Sequence, residues 1–515
     1  MASSPSSSPT PSTADNPSGK RNAGSSSPTK ILFISHEASR TGAPIFLLHF
    51  LRWLRRETDL EFEIVLGKGG PLEAEFAAVA KVQSVQFLAT NPAALRSFGL
   101  IYSNTVCNAS LLAALPVGHI PVITHVHELD SGYDWVGARA MAGIIGHTSH
   151  FIACAKAVAG RLRKIFAIPA DRISVHHEMI DGNVVAANVA AAAGSLRQDH
   201  DIPADAFVVT GCGSVDLRKG PDLFVQMAAR LKRRLGPERP LRCLWIGAMN
   251  SPDLAEHLPL DVRKLGLAAE VRFIGELPAP HGLIAQSDVF CLTSREDPFP
   301  LVMLEAAALG KPVLCFDGAG GAKEFCAHGG GRPVPYLDVE AMAATTAEWL
   351  LDPATRAEIG RRGAEAVRQH FAVEAIAPAL WKELQRHLAS PAPVGPLNRP
   401  EVTLADIYRT WSPDEMPQRV YVEAHLRRDT ARKHARLLAV EGRKPEAVKL
   451  LMQAVNDDIE LKNPLAAFES LVEISEEMAP LDARQSAALL AAAERFSRAH
   501  PHLQVENFRR KAAGA

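Results

Sequence analysis

The sequence predicts an α/β protein of two doubly wound domains followed by a helical extension, and three observations lead there. Short apolar runs alternate with helical patterns from Lys30 onward, the alternation pauses at a polar stretch near residue 200 and restarts, and beyond residue 390 only helical patterns remain. Strands alternating with helices imply a parallel sheet covered on both faces. A chain of 515 residues also exceeds one ordinary core, so two or more domains are expected.

Taken in order, residues 1–29 are rich in Ser and Pro and contain no apolar core. They read as a disordered leader and not as a signal peptide. The first domain is expected over 30–200. "ILFISH" is a buried strand, and "TGAPIFLLHFLRWLRRE" is a helix with Pro44 in its first turn. "FEIVLG", "GLIYSN", "PVITHVH", "FIACA" and "ISVHH" supply further strands. The second domain is expected over 201–388, with strands in "AFVVTGCG", "LRCLWIG", "VRFIG", "DVFCLT" and "PVLCFD". Helices in "PATRAEIGRRGAEAVRQHF" and "AIAPALWKELQRHL" close it. "SPAPVGPLNRP" is a linker, and the rest of 389–515 is a helical extension.

Composition narrows the function. Hydrophobic residues make up 47%, which excludes wholesale disorder. A net charge of -1 provides no global field for nucleic acid or a membrane. The seven cysteines form no CxxC pair and mostly sit in strand-like runs, as buried reduced thiols of a cytoplasmic protein would. No stretch reaches the roughly 18 apolar residues of a spanning helix. Arg52, Arg55 and Arg56 with Trp53 could form a face that touches the inner surface of a membrane; the competing account is a solvated helix end.

The chemistry concentrates in "SREDPFPLVMLEAAALGKPV", Ser294 to Val313. "DVFCLTS" brings the chain to the end of a strand. Pro298 and Pro300 keep the next residues out of regular helix, and Pro300 suits the first helical position. "LVMLEAAAL" is then helical until Gly310, before Pro312. Asp297 thus lies in a strand-to-helix loop and Glu305 lies inside the helix. The N–H groups of Leu301, Val302 and Met303 are expected to be free and to face the loop as an anion site. A carboxylate beyond such a site can accept two vicinal hydroxyls, as a ribose presents. The residues alone equally allow Asp297 to be an ordinary helix-start acid and Glu305 to be solvated.

This stretch resembles the signature of the retaining glycosyltransferases of family 4, which have the GT-B fold: an acid, seven residues, a Glu, then "EA...G.PV". "GCGSVDLRKG" resembles the family's phosphate loop, "GAGGAKEFCAHGGGRPVPYLD" its "GG..E" segment, and "SHEASRTGAP" its first loop. The resemblance covers Lys30 to Leu388. It implies transfer of a sugar from a nucleotide-diphosphate sugar to a hydroxyl acceptor, such as a glycan or lipid-linked saccharide, in polysaccharide or glycolipid synthesis.

The resemblance also implies roles. Glu305 would take the ribose hydroxyls and Asp297 hydroxyls of the donor sugar. The amides of Phe299, Leu301 and Val302 would touch sugar or phosphate. Lys219 and Arg218 would clamp the diphosphate, with Gly213 and Ser214 in the same loop. His127 would stand by the sugar's 6-hydroxyl, with His125 as its competitor and Glu128 and Asp130 nearby. Gly42, with Ser39 and Arg40, would form the first loop. His127, Asp297 and Lys219 are the expected catalytic set.

Two departures stand out: Asp297 where most relatives have Glu, with Glu296 one residue out of register, and Ser214 where relatives have Arg. They leave open a catalytically weak or inactive nucleotide-sugar-binding protein of the same fold. The segments expected to hold the diphosphate, 213–220 and 294–313, carry no DxD pair, so no essential metal or other cofactor is expected. Nucleic acid is not an expected partner, and the helical extension offers a surface where a protein could dock. "SVHHEMID" is assigned no chemistry.

Overall fold

The computed structural model describes residues 30–389 and 428–499, apart from 116, 118–119, 193–195, 278, 429–430, 433, 437 and 461–463. The expected leader and linker lie outside the described residues. The first lobe is built on a seven-stranded parallel sheet of β1 (Lys30–Ser35), β2 (Phe62–Leu66), β3 (Lys81–Gln83), β4 (Phe98–Asn104), β5 (Val122–Val126), β6 (His150–Ala153) and β7 (Ile173–Val175). Its order is β3-β2-β1-β4-β5-β6-β7. The second lobe has β8 (Phe207–Cys212), β9 (Leu241–Ile246), β10 (Val271–Gly275), β11 (Val289–Leu292), β12 (Val313–Phe316) and β13 (Gly331–Val334), ordered β10-β9-β8-β11-β12-β13 and also parallel.

The central strands read as continuous apolar runs because helices cover both faces: Ile31, Leu32, Phe33 and Ile34 are all fully buried. The two strands that the sequence reading misses, β3 and β13, are the short outer edges of their sheets. "KVQ" is partly exposed and polar, and "GRPV" carries Pro333, which an edge tolerates because one side of the strand has no partner.

In each sheet the order reverses beside the first strand, between β1 and β4 and between β8 and β11. Loops leaving such a reversal diverge and open a crevice at the carboxyl ends of the strands. The two crevices face each other: a methyl group placed on Gly42, at the start of helix Gly42–Glu57, would stand 4.0 Å from the Leu301 side chain of the second lobe.

The chain crosses between the lobes at two points that are bonded together. The Ile180 N–H donates to the Phe371 carbonyl (3.1 Å), and the Val373 N–H donates to the Ile180 carbonyl (3.1 Å). Packing therefore redistributes two helices relative to the boundaries expected at 200 and 388. Helix Gly182–Ala191 already lies against the second lobe, beside His281–Ala285 and Leu301–Ala308. Helix Val373–Ala389 returns to the first lobe, where Ala377, Leu380 and Leu384 join the core of Phe33, Phe50 and Leu54. Nothing in a helix's own periodicity says which lobe its apolar face will cover.

On helix Gly42–Glu57, for which the sequence leaves open a membrane-touching face or a solvated helix end, Arg55 and Arg56 are exposed and all three arginines are bonded to neighbouring groups. Trp53 is buried. Arg52 bonds Glu75 (2.6 Å), Arg55 bonds the Val79 carbonyl (3.1 Å) and Arg56 bonds Glu57 (2.6 Å). Among the described residues no helix is long and apolar enough to cross a membrane. The seven cysteines are free thiols, five of them buried. In the helical extension, Lys444–Glu460, Pro464–Met478 and Ala483–Ala499 share a core that includes Leu451, Phe468, Ile474 and Leu489. Arg428, fully buried beside it, bonds Asp458 (3.2 Å), Glu469 (2.6 Å) and Glu473 (3.3 Å), which compensates its buried charge.

Candidate active site

The second-lobe wall is made by the loops after β8 and β11. Arg295 ties them together: its N–H donates to the Arg218 carbonyl (2.7 Å) and its guanidinium takes both oxygens of Asp222 (2.9 and 2.7 Å). Two glycines allow the close approach. A Cβ on Gly220 (φ +70°) would lie 2.1 Å from the Thr293 carbonyl oxygen, and one on Gly320 (φ +146°) would lie 1.8 Å from that of Asp297. In this frame Lys219 Nζ donates to Asp297 Oδ2 (2.6 Å), which also accepts from Ser294 Oγ (3.2 Å). Arg218 donates to the Glu296 carbonyl (3.1 Å) and stands 3.9 Å from Asp297. Ser214 Oγ donates to Asp216 (2.5 Å), whose other oxygen accepts the Lys219 N–H (2.9 Å).

Helix Leu301–Ala308 starts from Pro300, which caps it at φ -70°, ψ 122° and is one residue outside the helix rather than its first residue. The Met303 N–H closes a turn onto the Pro300 carbonyl (3.2 Å). Only Leu301 and Val302 therefore keep N–H groups without a partner among the described residues, a correction to the expected three. Gly310, at φ +72°, ends the helix as expected. Glu305 stands one turn in, 3.4 Å from His281 Nε2; His281 Nδ1 is in turn 3.2 Å from Asn188 Nδ2.

The first-lobe wall is an interlocked buried network. His127 follows β5. Its Nδ1 lies 2.6 Å from Glu178 Oε1 and its Nε2 lies 2.9 Å from Asn104 Oδ1. Asn104 is oriented by donating from Nδ2 to the Ala43 carbonyl (2.8 Å), so the atom it presents to the histidine is an acceptor. Both ring nitrogens thus face acceptors, and the geometry asks for the doubly protonated ring. Burial works against that charge, but the Glu178 carboxylate, helped by Glu128, outweighs it and raises the His127 pKa above its usual value. Glu128 accepts from the His127 N–H (2.9 Å) and from the Thr105 hydroxyl. Thr105 itself is held at φ +112°, an uncommon conformation for a β-branched residue.

His125 is different. It is fully buried, its Nδ1 bonds the Tyr102 hydroxyl (2.5 Å), and Phe46 packs edge-on against it at 4.9 Å. Burial and the neighbouring His127 push its pKa well down. It is a core histidine behind the wall.

Two carboxylates of the second lobe reach across to the first. Glu296 accepts from the Ser131 N–H (3.0 Å) and from its hydroxyl, at the start of helix Asp130–Val136. Glu324 accepts the N–H groups of Lys156 and Ala157 (3.1 Å each), at the start of helix Lys156–Phe166, and pairs with His177 Nε2 (2.8 Å). Each puts a negative charge at the positive end of a helix dipole. Asp130 turns away from the cleft to pair with Arg161.

The structure thus gathers Lys219, Arg218, Gly213, Ser214, Asp297, Phe299, Leu301, Val302 and Glu305 on one wall, and Gly42 and His127 on the other. The sequence reading missed Asn104, Glu178, His281 and the bridging role of Glu324. Glu178 and Glu324 sit in "SVHHEMID" and "GAGGAKEF", whose acids the sequence alone assigns no chemistry. An acid beside paired histidines was the available signal.

With that geometry in place, the family comparison covers the second-lobe wall. Residues 194–366 match the family model described as "Glycosyl transferases group 1". The lipopolysaccharide core biosynthesis glycosyltransferase LpsD of Rhizobium meliloti is 30% identical over 193 residues, 38% of this chain and 53% of that one. The D-inositol 3-phosphate glycosyltransferase of Corynebacterium urealyticum is 32% identical over 214 residues, 40% of this chain and 49% of that one. The chain spans about half the length of these curated relatives. Among solved structures, Anabaena Alr3699/HepE in complex with UDP and glucose superposes with a TM-score of 0.60 at 22% identity, over 69% of this chain and 99% of that one. The two lobes have the GT-B fold.

Proposed function

We propose that this chain is a glycosyltransferase that moves a sugar from a nucleotide-diphosphate sugar to a hydroxyl acceptor with retention of anomeric configuration, in glycan or glycolipid synthesis. One observation carries the reading: Lys219, Arg218 and the two free N–H groups of Leu301 and Val302 converge on the switch-point crevice of the second lobe, one helical turn from Glu305. The family model described as "Glycosyl transferases group 1" matches over this same lobe, residues 194–366.

In the proposed donor complex Glu305, steadied by His281, accepts the ribose hydroxyls. The diphosphate competes with Asp297 for the Lys219 ammonium, which frees the Asp297 carboxylate for hydroxyls of the donor sugar. Lys219, Arg218 and the helix amides then stabilise the leaving diphosphate as its charge grows. The acceptor hydroxyl attacks from the face the diphosphate leaves, and a phosphate oxygen of the leaving group takes its proton. His127 contributes a fixed positive charge on the opposite wall; it reaches a sugar hydroxyl by exchanging Asn104 for it. The Glu296 and Glu324 bridges hold the lobes together and keep water from the donor.

A second reading, donor binding without turnover, draws on Ser214: its hydroxyl is committed to Asp216 and supplies no cation. A panel of nucleotide sugars, incubated with glycan and lipid-linked acceptors and followed by NMR, separates the two. Transfer with the donor's anomeric configuration supports the first reading, and saturable binding without transfer or hydrolysis supports the second. Turnover is expected to survive EDTA at temperatures below unfolding; complete loss restored by manganese would contradict this account of the phosphate site.

A further inference from the structure

At the end of the first sheet remote from the cleft, His150, Glu383 and His387 converge. His150 opens β6, so it lies opposite the loops that form the cleft. Glu383 and His387 are four residues apart on helix Val373–Ala389 and share one face. Glu383 Oε1 stands 3.4 Å from His150 Nε2 and 3.6 Å from His387 Nε2. The two imidazole rings are 4.8 Å apart, tilted by 40°. One ligand atom from each of the three residues falls within 4.8 Å of the others.

We propose that these residues form a binding site for a divalent transition ion of the zinc class, with water completing the coordination, and that the ion fastens the returning helix to the first-lobe sheet. Spacing is the first argument. Zinc binds imidazole nitrogen and carboxylate oxygen at about 2.0–2.2 Å, so tetrahedral ligand atoms stand about 3.3–3.5 Å apart. The two separations around Glu383 Oε1 are close to this, and both are longer than the roughly 2.7–3.2 Å of a direct hydrogen bond.

Orientation is the second argument. The second oxygen of Glu383 accepts from Arg386 (2.7 Å), which fixes the carboxylate as outer partners of metal ligands do. The Ser174 hydroxyl, 3.0 Å from His150 Nε2, turns aside on binding. Arg172 and His176 are the basic groups nearby. Two imidazoles and one carboxylate favour zinc and its neighbours over calcium or magnesium.

The test uses the full chain, stripped with EDTA and titrated with zinc in a calorimeter. One ion per chain should bind, and saturation should raise Tm by about 3 °C or more. Cobalt in place of zinc should give the visible absorption of a four-coordinate ion. His150→Ala and His387→Ala should each weaken binding about tenfold or more, and His387→Gln serves where the alanine variant fails to fold. His127→Ala should bind as wild type, which separates this site from His127, Cys154 and Glu178 in the cleft wall. No uptake by wild type at about 0.1 mM zinc, a Kd too weak for a site of this kind, would overturn the proposal. So would uptake unchanged in the His150 and His387 variants, or uptake lost in His127→Ala.

Discussion

The two walls of the cleft are built in opposite ways. The second-lobe wall draws on two short segments, 213–220 and 294–305, each a strand end running into a helix. The first-lobe wall collects Gly42, Asn104, the adjacent His127 and Glu128, and Glu178 from four separate places, and its order comes from buried hydrogen bonds between them. The contrast teaches where binding and positioning reside. Free N–H groups and partly exposed cations on one side are available to a ligand. On the other side nearly every polar atom is committed to a neighbour, so that wall sets a fixed electrostatic surface.

The largest expected effect is on the second wall. Lys219→Ala removes a positioned cation from the leaving diphosphate, and turnover should fall by about 10² to 10³ while the protein remains folded. A loss of turnover matched by a loss of thermal stability would mean instead that Lys219 is chiefly the structural partner of Asp297. Next comes Glu305→Gln, which keeps shape and removes charge. Loss of a charge-assisted hydrogen bond is worth about 1.5–3 kcal/mol, so donor KM should rise roughly tenfold to a hundredfold with a smaller change in kcat. An unchanged KM would place the ribose elsewhere.

The first wall should answer through a different observable. Glu178→Gln leaves His127 buried without its carboxylate, so the ring should lose its second proton and its pKa should fall, as read by NMR titration. Turnover should drop with little change in donor binding. His125→Ala, by contrast, removes a core side chain and should cost stability, by about 2–5 kcal/mol on the scale of large buried truncations. If His125→Ala abolishes turnover in a stable protein while His127→Ala is silent, the strand assignment of the catalytic wall is reversed.

How much of this was legible in the sequence follows from the same contrast. The β8 and β11 loops were readable because their chemistry is local: Pro300, Leu301, Val302, Glu305 and Gly310 specify a strand, a turn and a capped helix within some twenty residues. His127 was found, but its choice over His125 needed the burial of Tyr102 and Phe46 behind the sheet. Glu178 lies 51 residues from His127 and Glu324 lies 147 from His177. No spacing rule connects such pairs; only the folding of two sheets against one another does. The destination of helix Val373–Ala389 was hidden for the same reason.

The smallest predicted effect concerns the contact between the walls. Burial opposes the charge on Glu324, but His177 and the Lys156 and Ala157 N–H groups more than offset it, and its pKa is lowered below 4.5. A carboxylate with a depressed folded pKa contributes stability that is present above its unfolded value and is lost as pH falls through the folded value. Wild type should therefore melt above Glu324→Gln at pH 7, and the gap should close as pH drops below about 4.5. A gap independent of pH would assign the difference to packing.

The central claim is that the crevice after β8 and β11 holds a nucleoside diphosphate through its phosphates. Calorimetric titration of nucleoside diphosphates and their matching nucleosides, into wild type and Lys219→Ala, addresses it most directly. The account predicts saturable binding of at least one diphosphate to wild type, weakened by about tenfold or more in Lys219→Ala, with nucleoside binding nearly unchanged. Equal binding of a diphosphate to both proteins, or equal losses for diphosphate and nucleoside in a folded Lys219→Ala protein, would contradict it.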